Sequence, residues 1–319
     1  VAQSLGGGGI LVKGGKLALD AGSIDRNKAV LGNGGGILIN EDPVGESYNT
    51  GMTIYALKMQ STKFENNDVE AGNGGAIALV GHAKSNADIS YSSFTLNAAT
   101  AGYGGMLYAS STGKVRLNYT AVELNKAIQG GGIYVTRSIL EMHGKGTSMP
   151  KLARNKADFG GAIMIAQQGY VLLNYILVQQ NEALFDGGAT CTREEAHIVM
   201  KYSHVERNSA RARGGAVYLD RLGTTSLHNC KVTRNMAEAD GGGLYLGFGT
   251  SGQSIDTMFE GNKANDNGGA IFASDAPFTT TATKPPNGDE YLCNFNFNSV
   301  KSGRGGAIFV ERQGSVIVQ

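Results

Sequence analysis

A pair of glycines, followed by a small residue and an aliphatic one, recurs along the whole chain and limits what it can fold into. The pairs begin at Gly7, Gly34, Gly74, Gly104, Gly130, Gly160, Gly187, Gly214, Gly241, Gly268 and Gly305. Five of the ten intervals between these starts are 27 residues, as from Gly187 to Gly214. A fixed period of this length indicates one supersecondary unit per repeat, each unit stacked on its neighbours.

An asparagine lies five to seven residues before the glycine pair, usually with an apolar residue three positions ahead of it, as in Phe64 and Asn67 or Val205 and Asn208. Asparagine tolerates the left-handed backbone region, and its amide can hydrogen-bond to the same side chain in the next unit. The sequence therefore predicts a ladder of stacked asparagines.

Within one unit, apolar residues alternate with a period of two, which predicts strands and not helices. The pattern is clear at Ile77 and Leu79 and continues at Val115 and Leu117. We predict an all-β fold, a single right-handed parallel β-helix of about eleven coils with about 27 residues per coil, forming one domain over residues 1–319. Two longer loops, near residues 40–59 and 275–289, are expected to leave from one corner of the coil.

Composition supports this reading and excludes several others. The 48 glycines lack a period of three, and a 41% hydrophobic content is too high for a disordered linker. A net charge of +1 does not indicate the excess of positive charge typical of proteins that bind nucleic acid. The sequence also contains no run of about 20 apolar residues that could span a membrane. The repeat register separates Cys191, Cys230 and Cys293, so all three thiols are expected to be free.

The residue after the first inward position of the glycine-pair strand should point outward in every coil. We call this series the outward column: Leu11, Leu38, Ala78, Tyr108, Tyr134, Met164, Cys191, Tyr218, Tyr245, Phe272 and Phe309. Its aromatic members, Tyr108, Tyr134, Tyr218, Tyr245, Phe272 and Phe309, are the candidate contact face for a partner or another copy. The alternative is that they only stack on one another and stabilise the sheet.

Other polar and aromatic residues favour structural roles. Tyrosines six residues before the asparagine are expected to cover a corner of the coil, at Tyr91, Tyr119, Tyr175 and Tyr202. Asp186, Arg213 and Asp240 occupy equivalent positions in successive coils, which predicts an ion ladder. Glu194, Glu195 and His197 lack the spacing of a metal site, and the five histidines fall at unrelated coil positions, so we expect no metal or cofactor.

The two motifs resemble the Gly-Gly-Ala-(Ile/Leu/Val) and Phe-x-x-Asn repeats of chlamydial polymorphic outer membrane proteins. The first motif is intact at Gly74–Ile77, Gly160–Ile163, Gly214–Val217, Gly268–Ile271 and Gly305–Ile308. The second is intact at Phe64–Asn67, Phe94–Asn97, Phe259–Asn262 and Phe295–Asn298. The resemblance implies a surface-exposed β-helix used in adhesion.

We therefore expect a non-enzymatic structural or adhesive protein that is extracellular or at the cell surface, with a surface receptor or glycan as partner. The alternative is a polysaccharide lyase or hydrolase of the β-helix type, although the acids do not converge on one site. Val1–Ser4 and Val316–Val318 are complementary halves of one coil, so we expect either head-to-tail stacking into a filament or a fragment of a longer solenoid. Asn118 opens a sequon and is a candidate glycosylation site.

Overall fold

The computed structural model describes residues 7–40, 54–81, 85–283 and 293–319, and these contain strands, turns and bends but no helix. The strands form three parallel sheets that run along the length of the stack. The parallel β-solenoid with about 27 residues per turn is thereby confirmed. Val1–Ser4, the segment expected to complete a coil in head-to-tail stacking, lies outside the described residues.

The first sheet, here called the glycine sheet, contains the strand that follows each glycine pair, and it has 11 strands. They are Ile10–Lys13, Ile37–Asn40, Ile77–Val80, Leu107–Ser110, Ile133–Thr136, Ile163–Ala166, Thr190–Thr192, Val217–Leu219, Leu244–Leu246, Ile271–Ser274 and Ile308–Glu311. Equivalent residues pair in register from coil to coil, as Tyr218 does with Tyr245.

The second sheet, here called the bent sheet, has 19 strands, because most coils contribute one strand on each side of a bend. Two strands run through the bend, Leu17–Asp25 and Ile54–Glu65. Those before the bend are Ser85–Ser90, Lys114–Asn118, Ile139–His143, Tyr170–Asn174, His197–Lys201, Thr224–His228, Ser251–Ile255, Pro277–Thr281 and Ser315–Val318. Those after it are Ser93–Thr95, Ala121–Glu123, Lys151–Ala153, Leu177–Gln179, His204–Glu206, Lys231–Thr233, Met258–Glu260 and Phe295–Asn296.

The third sheet, here called the short sheet, follows the ladder asparagines and has 10 strands that the sequence reading missed. They are Lys28–Leu31, Asp68–Ala71, Ala98–Tyr103, Lys126–Gln129, Lys156–Ala157, Glu182–Ala183, Ser209–Ala210, Met236–Ala237, Lys263–Ala264 and Ser299–Val300. Many contain only two residues, too few to show an alternating pattern. Their buried side chains are small, mostly alanine as at Ala183 and Ala210.

Inward-facing residues of the glycine and bent sheets form one core along the axis. Ile163, Val171 and Val178 are fully buried in it, and so are the stacked rings of Phe64 and Phe94, whose centroids are 4.7 Å apart. Burial of such side chains contributes about 1.5–3 kcal/mol each. The core therefore stabilises every coil through its two neighbours.

Two details of the predicted architecture were wrong. The chain makes about nine turns, not eleven, because the glycine pairs also count end coils that the described residues complete only in part. Residues 41–53 lie between Ile37–Asn40 and Ile54–Glu65, whereas residues 284–292 follow Pro277–Thr281. The two longer segments therefore leave from different corners. Phe278 and Thr280 are buried in register with neighbouring coils, so residues 277–281 belong to the bent sheet.

The two glycines of each pair are required for different reasons. Gly187 has a φ of +72°, and a Cβ there would lie 2.4 Å from the carbonyl oxygen of Thr190. Gly188 has no such backbone angle, but its Cβ would lie 2.2 Å from the carbonyl oxygen of Gly215 in the next coil. The first glycine makes the turn possible, and the second lets adjacent coils approach closely.

The asparagine ladder is continuous, and its members are Asn27, Asn67, Asn97, Asn125, Asn155, Asn181, Asn208, Asn235, Asn262 and Asn298. At each step the Nδ2 of one asparagine donates to the Oδ1 of the next at 2.9–3.0 Å. The left-handed residue is not the asparagine itself but the residue before it, such as Arg154 with a φ of 54° or Arg207 with a φ of 53°. The left-handed backbone conformation expected of asparagine therefore belongs to the residue one position before it.

Candidate binding surfaces

The outward column lies on the outer side of the glycine sheet, but most of it is covered. Tyr218 and Phe272 are each only 3% exposed, and Cys191 is fully buried. Tyr108, Tyr134, Tyr245 and Phe309 are half-buried. Burial raises the pKa of the Tyr134 hydroxyl to about 12, with smaller contributions from Tyr108 and Tyr103. The candidate contact face is therefore a partly enclosed layer and not an open apolar stripe.

Residues that precede the glycine pairs cover the outward column, because the turn at the first glycine folds them across the sheet. The guanidinium of Arg213 lies over the rings of Tyr218 and Tyr245, 4.8 and 5.0 Å from their centroids. Tyr103 stacks on Tyr134 in the same way, with centroids 4.9 Å apart. The central part of the column, at Met164, Cys191 and Tyr218, thus belongs to an apolar cluster outside the axial core.

Rings in the outward column also stack along the axis. The centroid distances are 5.0 Å from Tyr218 to Tyr245, 4.9 Å from Tyr245 to Phe272 and 5.6 Å from Phe272 to Phe309. Stacked cross-strand aromatics stabilise a sheet by up to about 1 kcal/mol per pair. This geometry favours the stacking role, and the contact role remains a proposal.

The second tyrosine series marks the bend of the bent sheet. Tyr91 and Tyr119 stack at 5.0 Å, and Tyr175 and Tyr202 stack at 4.8 Å. All four have a positive φ, between 49° and 57°. Tyr91 is 61% exposed and Tyr202 is 43% exposed, so much of each residue is open to solvent at the corner.

A shallow, open groove of about 440 Å³ lies at the corner after the glycine sheet, lined by Arg137, Gln167, Gln168, Glu194, Glu195, Arg221 and Leu222. Most of its polar groups are already paired. Gln168 donates to Glu195 at 2.9 Å, and Arg221 lies 3.8 Å from Glu194. His197 points elsewhere, with its Nδ1 2.7 Å from the hydroxyl of Thr224. Glu194, Glu195 and His197, which lie close together in the sequence, therefore do not converge on one point.

The three cysteines and the acids of the predicted ion ladder have structural surroundings. Burial raises the pKa of the Cys191 thiol to about 12 and that of Cys230 to about 11. All three cysteines are free, as expected from the register.

The predicted ion ladder is only partly formed, because Asp240 bonds to Asn267 at 2.9 Å and not to Arg213. Among the described residues, no group of His, Cys, Asp or Glu could hold a metal ion.

The sequon residue Asn118 ends a strand before the bend and is half-buried. Its Nδ2 donates to Asp88 at 3.1 Å, and Thr120 of the sequon is fully buried. Modification at Nδ2 would have to precede folding of this coil, and glycosylation of Asn118 remains a prediction.

One surface was not identified from the sequence. Two adjacent coils carry basic residues three positions apart, at Lys201, His204 and Arg207 and again at His228, Lys231 and Arg234. The structure pairs Lys201 with His228 and His204 with Lys231 across neighbouring strands. We call these six residues the basic grid. Its signal in the sequence was a repeated three-residue spacing 27 residues apart.

Comparison with known families finds a match over a short stretch of the chain. The Chlamydia polymorphic membrane protein repeat matches residues 256–274, a stretch that contains Phe259, Asn262 and Gly268–Ile271. In the structure these are a core ring, a ladder asparagine and the glycine pair with its strand.

No curated protein matches the chain. No helix in the described ranges is long and apolar enough to cross a membrane. The other coils repeat the structural positions that residues 256–274 occupy, so the resemblance inferred from the two motifs is confirmed. The chain is a parallel β-solenoid that carries a repeat of the Chlamydia polymorphic membrane protein type.

Proposed function

We propose that the protein is a non-enzymatic β-solenoid displayed at a cell surface, where it acts as a structural and adhesive element. The observation that carries this proposal is the match of residues 256–274 to the polymorphic membrane protein repeat. The match falls within one coil of an uninterrupted ladder, so the whole solenoid is built on the same plan. A long, regular stack presents the same columns of side chains in every coil.

The proposal is tested by adhesion. Beads coated with the folded chain are expected to bind cultured epithelial cells more than beads coated with a heat-unfolded sample of the same chain. Equal attachment of both bead types would contradict an adhesive role of the folded solenoid. Labelling of intact source cells with an antibody to the chain tests the surface location separately.

Self-association through the outward column is a second part of the proposal. Tyr245 and Phe309 remain half-exposed and could meet another copy without unfolding of the layer. If the column is a contact face, Tyr245→Ser should weaken association in analytical ultracentrifugation while leaving the β-sheet signal intact. Unchanged association would contradict the contact role and leave stacking as the only role of the column.

Head-to-tail assembly into a filament is the specific form of self-association expected from the sequence. Negative-stain microscopy of the concentrated protein should then show fibres with an axial repeat near one solenoid length, roughly 43 Å for about nine turns at ~4.8 Å per turn. Isolated rods at all concentrations would contradict it.

The alternative, a β-helix polysaccharide lyase or hydrolase, would place its active site in the groove at Gln167 and Glu195. Both enzyme types need carboxylates or cations that converge on the sugar. In the groove, Glu194 and Glu195 are instead engaged by Arg221 and Gln168. Release of reducing or unsaturated ends from pectate or alginate, abolished in Glu194→Gln, would support the enzymatic alternative over ours.

A further inference from the structure

The basic grid occupies one limited area of the bent sheet and the corner before the ladder. Lys201 and His228 form a column before the bend, and His204 and Lys231 form a column after it. Arg207 and Arg234 stand at the left-handed positions before ladder asparagines, with φ values of 53° and 54°. Adjacent coils are ~4.8 Å apart, so each column brings two basic groups close together.

The lysines and arginines of the grid are open to solvent. Lys201, Arg207, Lys231 and Arg234 are all exposed, and none forms an ion pair with a residue of the described ranges. Other surface cations of the chain do find acids, such as Arg154 with Glu123 at 2.8 Å and Lys156 with Glu182 at 2.8 Å. The grid is therefore an unneutralised patch on a chain whose net charge is only +1.

The acids around the grid are fewer than its cations. Glu206 lies within it, between His204 and Arg207, and Asp256 and Glu260 follow in the next coil, so the four fixed cations exceed the nearby acids by one when the histidines are neutral. The carboxylate of Asp256 beside His228 is held by Thr283, with its Oδ1 2.7 Å from the Thr283 amide nitrogen. Equivalent positions in the next coils along the axis are uncharged, for example Leu177 and Met258. Positive charge is thus confined to two coils.

An aromatic surface borders the cations. Tyr202 stands at the bend between Lys201 and His204, stacks on Tyr175 at 4.8 Å and is 43% exposed. Asn229 occupies the same corner of the next coil and offers an amide. The negative face of an exposed ring attracts C–H groups of a sugar, while cations and amides bind its anionic and hydroxyl groups.

We propose that the basic grid, with Tyr202 and Asn229, binds an anionic polysaccharide that bears sulfate groups. Clustered exposed Lys and Arg are typical of heparin-binding patches. The exposed ring of Tyr202 favours a glycan over an acidic peptide. Because the grid spans only two coils, it can contact a short anionic segment through a few closely spaced groups. This inference rests on the proposed surface function, since it names the partner class of the adhesive solenoid.

Two histidines make the grid responsive to pH. Burial lowers the pKa of His204, Lys231 lowers it further, and Glu206 opposes them. Burial likewise lowers the pKa of His228, with Lys201 adding to the effect and Asp256 opposing it. Ser226 contacts His228 at 2.8 Å. Both rings are therefore neutral at pH 7.5 and gain charge only in acid, while sulfate groups stay ionised.

The test measures binding of the full chain to heparin at low salt. The variant K201Q/R207Q/K231Q/R234Q should bind at least about tenfold more weakly, since four exposed ion pairs are each worth a few tenths of a kcal/mol or more. The matched control K126Q/R211Q/K263Q/R304Q removes the same charge from exposed cations that form no ion pair within the described part of the chain, and it should lose less than about threefold. Circular dichroism confirms that both variants fold.

Acidification from pH 7.5 to 5.5 should tighten heparin binding by wild-type protein, and H204Q/H228Q should remove that pH dependence. Equal loss in both charge variants, or tighter binding of a polyglutamate peptide or single-stranded DNA than of heparin, would overturn the proposal. If cell adhesion persists in excess heparin, the grid is not the adhesive contact, but the proposed adhesive function stands. If the chain binds heparin but no cells, the glycan site stands and the proposed adhesive function is contradicted.

Discussion

Arg213 donates two hydrogen bonds to the carboxylate of Asp186 in the preceding coil, at 3.1 Å from Nε to Oδ1 and 3.0 Å from Nη2 to Oδ2. Burial alone would lower the pKa of Arg213, but the bonds to Asp186 raise it overall. The same guanidinium covers the rings of Tyr218 and Tyr245. This one side chain therefore joins two coils and encloses part of the outward column.

We predict that Arg213→Ala lowers the free energy of unfolding by roughly 2–3 kcal/mol, because it leaves the charge of Asp186 unpaired at 4% exposure. The loss should be smaller than for a fully buried pair, since the Arg213 side chain is 37% exposed. Urea unfolding measures it. The control Lys156→Ala, which breaks the exposed pair with Glu182, should cost less than about 1 kcal/mol.

We expect Asn155→Ala to cost at least about 3 kcal/mol of unfolding free energy, because several buried groups lose partners together. The backbone N of Asn125 loses its acceptor, Nδ2 of Asn125 loses one of its acceptors, and the carbonyl of Val122 loses its donor. The matched control is Asn174→Ala, the same substitution at a half-buried residue on the outer face, which should cost about 0.5 kcal/mol or less. Equal losses would show that the ladder is not a major source of stability.

Gly188→Ala should destabilise the solenoid by more than about 4 kcal/mol or prevent folding, because the new Cβ would meet the backbone of the next coil. Gly22→Ala serves as the control, since a Cβ there has no neighbour within 4 Å. It should be neutral or stabilising by about 0.5 kcal/mol through the unfolded state. Thermal unfolding followed by circular dichroism compares the two, and similar melting temperatures would contradict the close approach of coils.

Only Cys293 should react readily with a thiol reagent in the native protein, because Cys191 and Cys230 are buried and Cys293 is half-buried. The raised pKa values of the two buried thiols keep them protonated at pH 8. Mass spectrometry should find one modified cysteine before unfolding and three afterwards. An intrachain disulfide, or rapid native labelling of Cys191, would contradict the assigned register.

Replacement of the two buried cysteines should have unequal effects. Cys230 occupies a column where Ser203 and Thr257 use their hydroxyls, and its Sγ already lies 3.3 Å from the carbonyl oxygen of Met200. Cys191 instead packs among apolar residues near Tyr218. Cys230→Ser should therefore cost less than about 1 kcal/mol and Cys191→Ser about 1–3 kcal/mol, because the second hydroxyl would be buried without a partner.

The repeat and the ladder were predictable because their residues recur at a fixed spacing and each has one structural role. Gly188 and Asn155 are recognisable in this way. The enclosure of Tyr218 was not predictable, because alternation separates inward from outward residues but does not show that Arg213 folds across the sheet. The basic grid was missed for a related reason. His204 and Lys231 differ in identity, so their shared column appears only when adjacent coils are aligned.

The ladder also bears on how such a chain can diversify. Its steps span sequence separations from 26 residues, between Asn155 and Asn181, to 40 residues, between Asn27 and Asn67, while the Nδ2–Oδ1 distance stays within 2.9–3.0 Å. The hydrogen bond fixes the register between adjacent coils, and its length does not depend on how many residues separate the two asparagines. A foreign peptide inserted between Asn40 and Ile54 should therefore leave the scaffold intact, so that evolution or an engineer can vary the displayed segment and the frame independently.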